Sequence, residues 1–174
     1  MPLMPSSSLV FSCFNVRSLN AKLDDVLEMH HYHCVDVMLL TETWHNDDSL
    51  CIRCLHADGC TVVDRARPRL ATTSLLAVNH GGVAAVAVPG VHLAVVNTGL
   101  QPTTFESVCV RVTSVSTSCI VLLIYRPGSV ALSSVFISEL SALLDNLITL
   151  STPLVVSGDM IVRLDWPDDP AAAN

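Results

Sequence analysis

Lysine is almost absent from this sequence. Lys22 is the only one in 174 residues, and charged residues of all kinds make up 14%. Nine Lys+Arg face sixteen Asp+Glu, a net charge of −7, so no global basic field draws the chain to a polyanion, and any phosphate contact must come from a local arginine patch. A clean apolar run of membrane-spanning length is also missing. The longest uncharged stretch, residues 70–105, is interrupted by Asn79, His80, Gly81, Gly82, Pro89, Gly90 and His92, whereas a span needs about 18 or more apolar residues in a row. Residues 1–8 lack a basic n-region and Leu9-Val10-Phe11 is too short for an h-region, so the reading is an intracellular chain. No glycine-rich phosphate loop, Ser/His/Asp motif, zinc-finger spacing, internal repeat or low-complexity tract occurs.

Apolar residues are abundant. They form 51% of the chain, and the mean hydropathy is +0.53, which excludes an intrinsically disordered chain. The length suits one domain. Seven cysteines, an odd count, read as reduced and mostly buried thiols. Cys51-x-x-Cys54 with His56 and Cys60 resembles part of a zinc site, but no second CxxC or HxxxH completes it.

Strands are predicted at Leu9–Phe14, Val35–Leu40, Cys60–Asp64, Val83–Val88, Val91–Val96, Phe105–Thr113, Cys119–Tyr125 and Pro153–Ser157. Pro89-Gly90 joins the fourth to the fifth, and the alternation of Val108, Val110 and Val112 with Cys109 and Arg111 marks a half-buried strand. One helix is predicted from an Asn20 cap, with Asp24 and Asp25 in its first turn and Leu23, Val26, Leu27 and His30 on its inner face. A second opens at Ser133 or Ser134 and presents Phe136, Leu140, Leu143, Leu144, Leu147 and Ile148 on one face. Residues 1–8 and 166–174 are expected to be flexible ends of a 9–165 domain. The class is α/β, dominated by sheet.

Three oxygen-bearing side chains stand where strands end: Asn15, Glu42 and Asp159. Strand ends of layered α/β folds are where loops converge on ligands. An amide and two carboxylates there are hard ligands suited to Mg²⁺ with a substrate phosphate. Each also has a purely local use, as turn or cap former. His30, His31 and His33 cluster at a helix end, where imidazolium favours the dipole and where a metal can also be held.

Five local sequences occur in order: Ser12-Cys13-Phe14-Asn15-Val16-Arg17-Ser18-Leu19, Leu40-Thr41-Glu42-Thr43-Trp44, His80-Gly81-Gly82-Val83-Ala84, Tyr125-Arg126-Pro127 and Ser157-Gly158-Asp159. The series resembles the endonuclease/exonuclease/phosphatase superfamily, and within it the endonuclease domain of LINE-type (non-LTR) retrotransposons. Phe105-Glu106 and the helix before Gly158 add to the likeness, which spans residues 9–165. It implies a DNase-like four-layer α/β sandwich and Mg²⁺- or Mn²⁺-dependent hydrolysis of a DNA phosphodiester, in a nuclear setting. By resemblance Glu42 is the metal ligand with Asn15 beside it, Tyr125 supplies a phosphate-contacting hydroxyl, and Asp159 orients or deprotonates the attacking water. Arg17, Arg126, Arg65, Arg67 and Arg69 are candidates for the DNA backbone. A phosphoinositide or sphingomyelin-type phosphoesterase is the alternative within the superfamily.

Two departures from the family pattern predict impaired activity or a non-catalytic remnant. Where the family reads Gly-Asp-Phe-Asn, this chain reads Gly158-Asp159-Met160-Ile161, placing a hydrocarbon where an amide would hold phosphate. The family's later strands, with an aspartate and a terminal Asp-His pair, have no counterpart after Asp159. A sheet lacking those strands would expose an edge, so low stability or self-association through it is expected.

Overall fold

The computed structural model describes residues 8–32, 34–46, 48–67, 80–128 and 132–161. Among them the chain forms eight strands and three helices: β1 (Phe11–Asn15), α1 (Leu19–Tyr32), β2 (Val37–Thr41), α2 (Leu50–Ala57), β3 (Thr61–Arg65), β4 (Val83–Ala87), β5 (His92–Val95), β6 (Glu106–Thr113), β7 (Ser118–Tyr125), α3 (Ser134–Ile148) and β8 (Leu154–Asp159). They build two four-stranded sheets, ordered β1-β2-β4-β3 and β5-β6-β7-β8.

The strands occur where β-branched and aliphatic runs predict them, within a residue or two at each end. Their burial explains the sequence pattern. Every residue of β2 and β4 is buried, because one face meets the other sheet and the opposite face is covered by helices. Alternate residues Val37, Leu39, Val83, Ala85 and Ala87 join Val108, Val110, Val112, Val121, Leu123 and Tyr125 in an inter-sheet core. Met38, Leu40, Ala84 and Val86 point the other way, onto Leu19 and Val26 of α1 and Cys51 and Leu55 of α2. On the far side Cys109, Ile120, Leu122 and Ile124 pack beneath Phe136, Leu143 and Leu147 of α3. The layers are helix, sheet, sheet, helix. Each sheet contains one parallel pair bridged by a helix: β1 with β2 through α1, and β7 with β8 through α3.

Several expectations need correction. Helix α2 has no counterpart among the predicted elements; its eight residues, Leu-Cys-Ile-Arg-Cys-Leu-His-Ala, bury only Cys51 and Leu55, too short an apolar period to register. Helix α1 begins at Leu19, so Asp24 and Asp25 lie beyond its first turn, and Asn20 accepts a hydrogen bond from Cys51 Sγ instead of capping. Ser133 is the cap of α3, its hydroxyl oxygen accepting from Phe136 N at 3.2 Å. Ile148, assigned to the inner face of α3, is 68% exposed. Strands β4 and β5 are joined through Pro89-Gly90 as expected, and they pair in different sheets. Strand β6 alternates as expected, its valines buried in the core and Ser107, Arg111 and Thr113 only partly covered, with Cys109 alone packed under α3. The expected flexible ends, Ser8 apart, lie outside the described residues, as do Arg69 and His33. Among the described residues no helix is long and apolar enough to cross a membrane.

Gly158 sits inside β8 with φ +141°, opposite Ile124 of β7. A Cβ there would run into the Ile124 carbonyl oxygen. Gly158→Ala is therefore expected to cost about 3 kcal/mol or more, through backbone strain and lost β7–β8 pairing. Urea denaturation followed by far-UV circular dichroism measures it.

Candidate active site

The parallel pairs run so that their C-terminal ends meet along one rim. In β1–β2 the register sets Asn15 opposite Thr41, immediately before Glu42; in β7–β8 it sets Tyr125 opposite Asp159. The two sheets thus deliver an amide and a carboxylate from one side, a phenol and a carboxylate from the other. Asn15 Nδ2 donates to Glu42 Oε1 at 2.7 Å and to Asp159 Oδ2 at 3.1 Å, and the Tyr125 hydroxyl donates to Glu42 Oε1 at 2.8 Å. The Asn15 side-chain oxygen accepts from Arg17 N at 3.1 Å. All four residues proposed from the sequence form one hydrogen-bonded group.

The backbone beneath them is strained. Arg17 (φ +46°), Ser18 (φ +108°), Glu42 (φ +54°) and Trp44 (φ +51°) all occupy the left-handed half of conformational space. Such residues persist where surrounding contacts over-determine them, and they concentrate at functional sites. Here the contacts are backbone hydrogen bonds: Ser18 N to Glu42 O at 2.8 Å, Leu19 N to Thr43 O at 2.8 Å, and Trp44 N to Gly81 O at 2.7 Å. His80 stacks on Trp44 with ring centroids 4.2 Å apart.

Tyr125 is 4% exposed and closes the inter-sheet core. Burial first, then its hydrogen bond to the Glu42 carboxylate and that charge, push its pKa well above the ordinary phenol range. It therefore stays a hydrogen-bond donor at any physiological pH.

Below the tyrosine lies a buried ion pair that corrects one of the sequence expectations. Arg67 Nε donates to Glu106 Oε1, and the guanidinium lies 5.7 Å from the Tyr125 ring centroid. Glu106 Oε2 accepts from Gly82 N at 2.6 Å. A Cβ on Gly81 would collide with the Arg67 guanidinium, and one on Gly82 with Thr43 Oγ1, which accounts for the Gly81-Gly82 pair. Arg67 thus braces the site from inside instead of reaching a DNA backbone. Arg126 is also buried, donating to the carbonyl oxygens of Met160 at 2.8 Å and Ile161 at 2.6 Å. Of the remaining arginine candidates, Arg17 and Arg65 are exposed.

A second polar array, largely buried, is also absent from the sequence reading. Thr43 Oγ1 and His45 Nδ1 are 2.6 Å apart, and His45 Nε2 donates to Asp64 Oδ2 at 2.8 Å. It ties the loop after Glu42 to β3. Its sequence signal is slight, a Thr-x-His spacing and an acid near the end of a strand elsewhere in the chain. The partial zinc motif does not assemble: Cys51 and Cys60 are buried, and burial, with the Asp58 charge, pushes the Cys60 thiol up to about 11. Burial raises Cys51 as well. Neither is set up as a thiolate.

Ile161 has φ +42°, which a β-branched residue rarely adopts, and its side chain is exposed. Asparagine tolerates that conformation far better than isoleucine does.

No family model matches the chain, and no curated protein matches it. Solved structures do. The 3′-5′ exonuclease NExo of Neisseria meningitidis superposes with TM-score 0.60 at 22% identity, covering 86% of this chain and 57% of its own. The catalytic domain of human Nocturnin superposes with TM-score 0.63 at 16% identity, covering 90% and 65%. Zebrafish (D. rerio) TDP2, complexed with a single-strand DNA product, superposes with TM-score 0.60 at 11% identity, covering 89% and 61%. The fold is DNase-like. The chain spans well under two thirds of the length of NExo.

Two outcomes follow from this geometry. The His45 hydrogen bond, outweighing burial, holds the Asp64 carboxyl below its ordinary pKa. A depressed acid contributes stability above its unfolded pKa that is lost as pH falls through the folded one. Asp64→Asn is therefore expected to remove part of the stability loss that the wild type shows below about pH 4, measured by chemical denaturation at stepped pH. Ile161→Asn is expected to stabilise the chain by about 1 kcal/mol through relief of left-handed strain, read as a raised urea midpoint.

Proposed function

We propose that this chain is a divalent-metal-dependent phosphoesterase acting on DNA phosphodiester bonds, its rate reduced by Ile161. The observation that carries the reading is the joining of Asn15, Glu42, Tyr125 and Asp159 at one rim by hydrogen bonds of 2.7–3.1 Å. The DNase-like fold supports it, since the neighbours include an exonuclease and a protein complexed with a DNA product. The narrower assignment, a LINE-type endonuclease working in the nucleus, rests on the sequence resemblance.

The donor set fits Mg²⁺ or Mn²⁺. Glu42 and Asp159 offer carboxylate oxygens at an open rim, and the groups that join them, Asn15 and Tyr125, are neutral. Glu42, with Asn15, would hold the ion, which when bound neutralises phosphate charge and stabilises the leaving oxygen. The Tyr125 hydroxyl, kept protonated, would turn from Glu42 Oε1 to a phosphate oxygen once that carboxylate holds the ion. Asp159, half-buried at the end of β8, accepts a proton from a water molecule and aims the water oxygen at phosphorus. Asn15 sets the spacing of the two carboxylates. At 161 the expected amide donor is replaced by hydrocarbon, so one hydrogen bond to the transition state is missing.

That replacement is also the observation behind a second reading, a retained fold without its chemistry. Nicking of supercoiled plasmid separates the two. Mg²⁺-dependent nicking that EDTA abolishes is expected, lowered by about 100-fold or more in Glu42→Ala. In Ile161→Asn it is expected to rise about tenfold or more. Equal background from the wild type and Glu42→Ala, both folded by circular dichroism, would establish the second reading.

A further inference from the structure

The ends of α1 and α2 meet on the outer face of the first sheet, and three metal-ligating side chains meet with them. His30 and His31 occupy the last turn of α1, and Asp58 is the C-cap residue of α2. His30 Nε2 lies 3.4 Å and His31 Nε2 3.2 Å from the same oxygen, Asp58 Oδ2. The three ligand atoms all fall within 4.8 Å of one another, the only such group among the described residues. The sequence pointed to His30, His31 and His33; the acid that completes the set comes from another helix.

We propose that His30, His31 and Asp58 form a binding site for a zinc-class divalent ion that clamps α1 to α2. Four observations argue for a cation there. Bonds of about 2.0–2.2 Å at tetrahedral angles place neighbouring donor atoms about 3.3–3.5 Å apart, close to the two separations seen. Asp58 Oδ2 is buried yet accepts no hydrogen bond of acceptable geometry from either imidazole. The two rings surround that oxygen without satisfying it. The negative ends of two helices converge on the carboxylate, an arrangement that repels an acid unless a cation compensates it. Finally, the backbone that carries Asp58 is fixed: its own N–H donates to Cys54 O at 2.9 Å, and Gly59 N donates to His56 O at 3.0 Å.

Two imidazoles and one carboxylate favour Zn²⁺ or Co²⁺ over Mg²⁺, which prefers an all-oxygen shell. His30 is nine-tenths buried while His31 is 49% exposed, so the fourth coordination position opens to water. The site is separate from the Glu42 rim: α1 starts beside Thr43, and His30 lies about 17 Å further along the helix at 1.5 Å per residue. It therefore stands or falls independently of the phosphoesterase reading.

Titration of the metal-free full chain with Co²⁺, followed by its visible d–d bands and displaced by Zn²⁺, tests the assignment. One tetrahedral Co²⁺ without thiolate charge-transfer absorption is expected, its intense bands setting it apart from any weakly absorbing six-coordinate ion at the Glu42 rim. Affinity should fall by more than about 100-fold in His31→Ala and in Asp58→Asn, beyond what loss of an outer partner costs, and be unchanged in Glu42→Ala. Zn²⁺ should raise Tm of the wild type and of Glu42→Ala but not of His31→Ala, whose half-exposed side chain can be removed without opening the core. No binding by the wild type, binding with a thiolate signature, or equal affinity in wild type and His31→Ala would overturn the proposal.

Discussion

Everything at the rim is built across the gap between two sheets, and that gap is set by the inter-sheet core. Val37, Leu39, Val83, Ala85 and Ala87 on one side meet Val108, Val110, Val112, Val121 and Leu123 on the other. Facing sheets pack about 10 Å apart when their inner faces interdigitate. Tyr125 belongs to this core and to the site at once: its ring is buried in the apolar layer and its hydroxyl reaches Glu42 on the opposite sheet. A change in sheet spacing would break that hydrogen bond and the Asn15 bridge to Asp159 together. Ala85 and Ala87 of β4 matter for the same reason, since larger side chains there would force the sheets apart.

The polar groups around that core form three sets. Asn15, Glu42 and Asp159 face the open rim. Thr43 and His45, both buried, with the exposed Asp64, hold the strained loop that presents Glu42. The Arg67–Glu106 pair is also buried and is anchored to the Gly82 N–H. A buried ion pair is weak evidence for stability, but with its oxygens satisfied it fixes one geometry. Buried positive charge near Tyr125 also offsets part of the negative potential of Glu42 and Glu106 on that phenol. The strain at Glu42 and Trp44 is thus held by partners that have no role of their own in chemistry.

Most strands and two of the three helices were legible in the sequence, because runs such as Val35–Leu40 and the i, i+4, i+7 spacing in α3 report burial directly. The four rim residues were legible for different reasons: Asn15, Glu42 and Asp159 stand where strands end, and Tyr125 was reached only through wording that resembles a known family. Arg65, Arg67 and Arg69 show where this fails. Three arginines on alternate positions look alike in sequence, yet Arg67 turns inward because Glu106, 39 residues away, and the space left by Gly81 await it. The short helix α2 failed for want of a long enough apolar period.

By itself, then, the sequence determined which segments are apolar on one face or two, where strands stop, and which oxygen-bearing side chains stand at those stops. Periodicity and turn chemistry are local, and they survive translation into structure. Tertiary structure alone decided which strand ends share a rim, which arginine is buried, and that Asp58 meets His30 and His31. Those outcomes depend on contacts between residues far apart in the chain. They arise only when two sheets and their covering helices settle on one packed arrangement.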